Sequence, residues 1–194
     1  MICGVDEAGR GCIAGKMVVA GVVLNAPIEG LMDSKKLSQS KREALYVTIV
    51  ANAHCKIIEF SPMDIDTKGI SRCLNEALTQ IKEHFSAYTI LFDGNCTFGV
   101  EAIETMVKAD TKVPQVSAAS ILAKVTHDRE IELHALSYPQ YHFDKHKGYL
   151  TKAHKEALMQ YGYTPIHRKS FKIKSTTAIE FLQNSFLDSV SSTE

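Results

Sequence analysis

The sequence predicts an α/β fold: a mixed five-stranded sheet flanked by helices, with a small helical lobe at the C-terminal end. Two patterns carry this expectation. Three apolar stretches of strand length come early, at Ile2–Asp6, Met17–Leu24 and Cys55–Phe60, and later strands alternate with segments of helical spacing. That order describes an antiparallel meander extended by parallel strands. A chain of 194 residues can bury one good core and has little left for a second. The division expected is a core over 1–138 and a basic, substrate-facing lobe over 139–194, built as one compact unit.

The elements follow in order. Ile2–Asp6 is a short buried strand that runs into the glycine loop Gly9-Arg10-Gly11. Met17–Leu24 is the second strand. Ser38 is placed to cap a helix reaching Ala51, and Cys55–Phe60 is the third strand. Ser61-Pro62 opens a helical region in which Ile70, Leu74, Leu78 and Ile81 share one face. Tyr88–Asp93 is a strand ending at the turn signal Gly94-Asn95, and Thr105–Ala109 is a candidate fifth. The longest helix spans Val116 to about Leu136, entered after Pro114. Two more are expected near Lys152–Tyr161 and Thr177–Leu187.

Composition bounds the function. The longest apolar run, Met17–Leu24, is too short to span a bilayer, and no basic segment followed by an apolar one marks a secretory signal. Five dispersed cysteines without a Cys-x-x-Cys pair point to reduced thiols in the cytoplasm. Net charge is zero, but its distribution is uneven. Between Tyr141 and Lys174 eight Lys or Arg face two acids, a local +6 that suits a phosphate-contacting surface.

The acids sit at element ends. Asp6 and Glu7 close the first strand, Asp93 closes the fourth, and Asp128 lies on the long helix, whose small residues Ser117–Ser120 let its backbone approach the sheet. Lys124, one turn before Asp128, can pair with it. Adjacent strand residues point to opposite faces, so Glu7 is expected where the strand breaks into the loop. Oxygen-only ligands favour Mg²⁺ or Mn²⁺ over zinc. Two such ions about 4 Å apart can activate water and stabilise a leaving 3′-oxygen.

Five blocks together resemble the type 2 ribonuclease H family, in the family's order from Ile2 to Phe171. They are Gly4-Val5-Asp6-Glu7-Ala8-Gly9-Arg10-Gly11, Asp33-Ser34-Lys35-Lys36-Leu37-Ser38, Ala118-Ala119-Ser120-Ile121-Leu122-Ala123-Lys124-Val125 with Asp128, His146-Lys147-Gly148-Tyr149, and His167-Arg168-Lys169-Ser170-Phe171. The resemblance implies a ribonuclease H-like fold and a metal centre of Asp6, Glu7, Asp93 and Asp128, with Asp6 bridging two ions in the substrate complex. It implies that Gly9, Arg10, Gly11 and Tyr149 recognise the ribose upstream of an RNA-to-DNA junction, and that Ser34, Lys35, Lys36, Arg168 and Ser170 hold phosphates. The expected activity is cleavage of the RNA strand of RNA–DNA hybrids and incision 5′ of single ribonucleotides in duplex DNA, by a monomer acting in replication and repair. Three positions depart from the family pattern: Gly69 for asparagine, Ala109 for the glycine before Asp110, and His127 for arginine.

Rival readings fit less well. Gly9, Gly11 and Gly15 miss the G-x-G-x-x-G spacing of a dinucleotide site, and a strand follows where that site needs a helix. His142 and His146 lack the glutamate of a zinc protease motif. A non-catalytic hybrid-binding module leaves four acids beside a polyanion unexplained. A type 3 enzyme is expected to carry an extra N-terminal domain, for which no room is seen before the strand at residue 2.

Overall fold

The computed structural model describes residues 1–31 and 37–173. The expected helix at Thr177–Leu187 and the residues Ser34, Lys35 and Lys36 lie outside them. Five strands, β1 (Ile2–Ala8), β2 (Met17–Leu24), β3 (Ala53–Phe60), β4 (Thr89–Asp93) and β5 (Glu104–Met106), form one sheet in the order β3-β2-β1-β4-β5. The first three pair antiparallel, and β4 and β5 add in parallel.

The described residues form six α-helices: α1 (Gln39–Asn52), α2 (Pro62–Lys68), α3 (Ile70–His84), α4 (Pro114–Ser137), α5 (Phe143–His146) and α6 (Lys152–Tyr161). Ser38 caps α1 by accepting from the Lys41 amide, and Pro114 occupies the first turn of α4, where its missing N–H is not needed. The helical region after Ser61 is two helices. Gly69 divides them at φ 81° and ψ 152°, a conformation open essentially to glycine, which accounts for that residue here.

The two faces of β1 are read by its odd and even residues. Cys3 and Val5 join Leu74, Leu78 and Ile81 of α3 in one core. Gly4 faces α4, and a Cβ there would lie 2.3 Å from the Val116 nitrogen. Glycine at that point, with Ala118, Ala119 and Ala123 packed among Val18, Ala20 and Val22, lets α4 lie close against the sheet.

A further core joins Tyr141, Phe143, Ala157, Leu158 and Ile166 to Ile13, Ala14 and Ile131, so the lobe after residue 138 packs on the glycine loop and α4. Three histidines are buried in it. His167 Nδ1 accepts from the Thr164 amide at 2.9 Å, which leaves the proton on Nε2, 3.0 Å from His154 Nε2. His154 then accepts there and donates from Nδ1 to the Tyr149 carbonyl at 2.9 Å. Desolvation holds the His154 pKa down at about 4 and that of His167 at about 3.

Candidate active site

The parallel register of β1 and β4 pairs Val5 with Phe92 and brings the C-terminal ends of both strands together. Asp6, still paired with Ala20, and Asp93, the last residue of β4, are brought together there. Asp93 Oδ1 accepts from the Ala109 amide at 3.0 Å, which ties β4 to the short 3-10 turn Ala109–Thr111. That turn carries Asp110. Single carboxylate oxygens of Asp6, Asp93 and Asp110 all lie within 4.8 Å of one another, the only such group of metal-ligating side chains among the described residues. Asp6 is 8% and Asp110 5% exposed.

Three carboxylates this close repel one another unless a cation or proton intervenes. Burial first, then the charges of Glu7 and Asp93, push the Asp6 pKa well above the usual carboxylate value. Burial raises Glu7 as well, against the pull of Arg10, whose guanidinium lies 3.5 Å from Glu7 Oε1. Glu7 Oε2 is buried without a hydrogen-bond partner. All-oxygen donors, mutual repulsion and an orphaned carboxylate oxygen fit a hard divalent cation.

Contrary to the expectation from the sequence, the strand does not break at Glu7. β1 runs to Ala8, with Glu7 opposite Val19 and Ala8 opposite Val18. Asp6 turns toward α4, where Ser120 hydrogen-bonds it, and Glu7 occupies the other face. Both still line one cleft of about 580 Å³, because the cleft lies across the sheet's end. Its wall also holds Asp93, Gly9, Arg10, Gly11, Ser120, Lys124 and Tyr149.

Asp128 is not brought into this group. Ser120 is the helix residue beside Asp6, and Asp128 lies eight residues on, about 12 Å along the axis. Its carboxylate is taken by Lys124 Nζ at 2.7 Å and His127 Nδ1 at 3.1 Å, with Arg42 at 3.9 Å. Burial opposes its ionisation, but the His127 and Lys124 hydrogen bonds outweigh burial and hold the carboxyl below its usual pKa. The sequence reading missed Asp110 because it sits in a polar, aperiodic stretch. The available signal was an acid at the entry to a helix whose small residues pack beside Asp6.

The glycine loop is placed by its neighbours. Gly9 has φ 78°, and a Cβ there would meet His127 Cδ2 at 2.4 Å and the Lys16 carbonyl at 2.6 Å. His127 thus packs directly beneath the loop. Tyr149 is 44% exposed, with Lys124 Nζ 6.0 Å from its ring centre. Desolvation and the hydrogen-bonded Cys12 thiol push its hydroxyl up to about 12.

Two phosphate candidates are engaged elsewhere. Arg168 is 1% exposed and donates to the backbone of the glycine loop, so no guanidinium faces a duplex there. Ser170 is exposed, but its hydroxyl donates to Asp66 Oδ1 at 2.6 Å. The lobe's positive excess is also partly spent within the protein, since Lys145, Lys147 and Lys152 pair with Asp144, Glu132 and Glu156. His146, half of the rejected zinc pair, donates to the Tyr141 carbonyl and stacks on His154.

A mixed sheet with clustered carboxylates at its strand ends, opening into a cleft with a backbone-lined loop, defines a metal-dependent nuclease of the ribonuclease H type. The comparisons agree. Residues 3–174 match the family model described as Ribonuclease HII. A protein named Ribonuclease HII from Sulfurovum sp. (strain NBC37-1) is 58% identical over 173 residues, covering 89% of this chain and 92% of that one. One from Campylobacter jejuni subsp. doylei is 50% identical over 173 residues, covering 89% and 91%. Among solved structures, the RNase HII of the PCNA:RNase HII complex from Archaeoglobus fulgidus superposes with TM-score 0.76 at 29% identity, covering 93% of this chain and all of that one. The ribonuclease H2 from Pyrococcus horikoshii OT3 gives 0.68 at 28%, covering 96% and 98%. The chain belongs to the ribonuclease HII family, and it is a metal-dependent endoribonuclease acting on RNA–DNA hybrids.

Proposed function

We propose that the enzyme hydrolyses the RNA strand by two-metal-ion catalysis and also cuts 5′ of single ribonucleotides embedded in duplex DNA, leaving 5′-phosphate and 3′-hydroxyl ends. Asp6, Glu7, Asp93 and Asp110 would hold Mg²⁺ or Mn²⁺, with Asp110 taking the place first given to Asp128. The observation that carries this is the convergence of Asp6, Asp93 and Asp110 oxygens within 4.8 Å, with Asp6 and Asp93 lining the cleft that also holds the Gly9–Gly11 loop. When bound, the ions supply positive charge for the phosphodiester and lower the pKa of water.

The remaining roles belong to the chain's own groups. The Gly9 and Arg10 carbonyls already accept from Cys12 N and Arg168 Nη1, so the loop would meet a 2′-hydroxyl through its N–H groups and the Gly11 carbonyl, and groups left unpaired by deoxyribose penalise DNA by roughly 1–3 kcal/mol each. Tyr149, half-exposed across the cleft, presents a ring for the following sugar. Lys124, oriented by Asp128, brings a cation to the cleft wall for a nearby phosphate. Recognition through sugars and phosphates makes binding indifferent to base sequence. Ser34, Lys35 and Lys36 remain proposed phosphate contacts.

The test offers a duplex with one embedded ribonucleotide beside a long hybrid, in Mg²⁺ and in Mn²⁺, and maps the ends. Cuts 5′ of the ribonucleotide with 5′-phosphate products are expected. A 2′,3′-cyclic phosphate would reject attack by water, and metal-strengthened binding without cleavage would favour a binding module.

A further inference from the structure

Arg168 stands out among the charged residues of the lobe. It is the largest fully buried side chain of the described residues. Nε and Nη2 both donate to the Gly15 carbonyl, at 3.0 and 2.9 Å, and Nη1 donates to the Arg10 carbonyl at 3.2 Å. The bonds span more than 150 positions of chain, from the lobe to the loop that follows the catalytic strand. Phe171 covers the guanidinium carbon at 5.3 Å from its ring centre.

The backbone on either side repeats the tie. Arg168 N donates to Ile13 O at 2.7 Å and Gly15 N to Ile166 O at 2.9 Å, an antiparallel bridge between Ala14 and His167. On the loop's other flank Ile13 N donates to Gly148 O at 3.0 Å, next to Tyr149, and the Cys12 thiol reaches the Lys147 carbonyl. The loop is therefore held between the segment that carries Tyr149 and the segment that carries Arg168. A methionine would fill the same volume without desolvating a charge. What the guanidinium adds is a rigid planar fork that fixes two carbonyls at once, one of them on Arg10 at the cleft wall.

We propose that Arg168 is a positioning residue for sugar discrimination: from inside the lobe it sets the shape of the Gly9–Gly15 loop that meets the 2′-hydroxyl. It acts on the loop and touches no phosphate. This rests on the reading of that loop as the ribose contact.

Arg168→Lys keeps the charge and stem but loses the fork. Three measurements on the full chain decide the matter. In hydrogen exchange, the amides of Cys12, Ile13 and Gly15 should exchange faster while the β2–β3 ladder is unchanged. The salt dependence of binding to a hybrid, measured without divalent ions on Arg168→Met, which removes the charge at similar volume, should keep the wild-type slope; a slope flattened by about one unit means a phosphate contact and overturns the proposal. Cleavage at a single embedded ribonucleotide should lose roughly 10- to 100-fold in kcat with KM little changed, and the preference for ribose over a 2′-fluoro sugar should shrink in step.

Unaltered kcat and preference in a folded variant make Arg168 a packing residue only and overturn the proposal. A wild-type enzyme indifferent to the 2′-hydroxyl overturns the ribose reading itself, a distinguishable result. Should Arg168→Lys fail to fold, Asp66→Ala decides. Asp66 accepts from the Lys169 and Ser170 amides at 2.9 and 3.0 Å and anchors the segment just after Arg168. The same loss of preference, smaller in size, is expected from it, and an unchanged preference counts against the proposal.

Discussion

Asp6 is 8% exposed and Asp128 6%, yet their surroundings have opposite sign. Around Asp6 stand Glu7, Asp93 and Asp110, and its pKa rises; around Asp128 stand Lys124, His127 and Arg42, and its pKa falls. One environment lacks positive charge and the other already contains it. A cation-binding site is recognised by the deficit, so the burial of an acid says less than the charges facing it.

The largest effect expected from this difference is on turnover. Asp110→Asn keeps the shape of the 3-10 turn and removes one charge, and should lower kcat by roughly 1,000-fold or more with folding intact. Asp128→Asn should cost about tenfold or less, through the freedom it returns to Lys124. Single-turnover cleavage of a long hybrid compares the two, and equal losses would erase the distinction drawn between these acids.

The next effect is on pH. His154 and His167 have folded pKa values of about 4 and about 3 against an unfolded value of about 6.5, so the unfolded chain binds more protons. Their contribution is complete above about pH 6.5 and drains away as pH falls toward 4. Asp6, with its pKa raised, has the opposite sign: its share of stability is present at low pH and lost as pH rises through the folded pKa. Hydrogen exchange of metal-free protein at pH 7 and pH 5 should therefore show protection falling in the lobe around Thr164–His167 and holding or rising along β1 and β4. Uniform loss would show that the two regions are not electrostatically distinct.

A smaller effect separates the acids by stability. In chelator, Asp93→Asn removes a repulsion from the cluster while keeping an acceptor for the Ala109 amide, and should raise Tm. Asp128→Asn weakens a largely buried ionic network and should lower stability by about 1–2 kcal/mol. Thermal melts with and without Mg²⁺ read both, and shifts of the same sign would count against the electrostatic contrast.

Much of this architecture is legible in the residues because local signals and tertiary packing agree. Met17–Leu24 and Lys152–Tyr161 match their elements end to end, since apolar runs and helical spacing are written locally. Ser38, Ser61 and Pro114 mark helix starts for reasons of hydrogen bonding alone. Of the candidate site, only part was legible. Asp6, Glu7 and Asp93 lie in or close after apolar strand runs, a position with its own pattern, whereas Asp110 reaches the cluster on a turn tied to β4 by the Asp93–Ala109 bond. Asp128 drew attention because its helix carries small residues, Ser117–Ser120, that bring the backbone close to the sheet, but that signal gives no distance along the axis to the strand end. Arg168 reads as one more surface cation until the chain is folded, because nothing in His167-Arg168-Lys169 announces that its middle residue turns inward.

The central claim is that the metal centre is Asp6, Glu7, Asp93 and Asp110 with Asp128 outside it. Mn²⁺ titration by calorimetry of the wild type, Asp110→Asn and Asp128→Asn, without substrate, tests it most directly. The account predicts that Asp110→Asn loses at least roughly tenfold in affinity while Asp128→Asn stays near the wild-type value. Tight binding by Asp110→Asn together with weak binding by Asp128→Asn would contradict it.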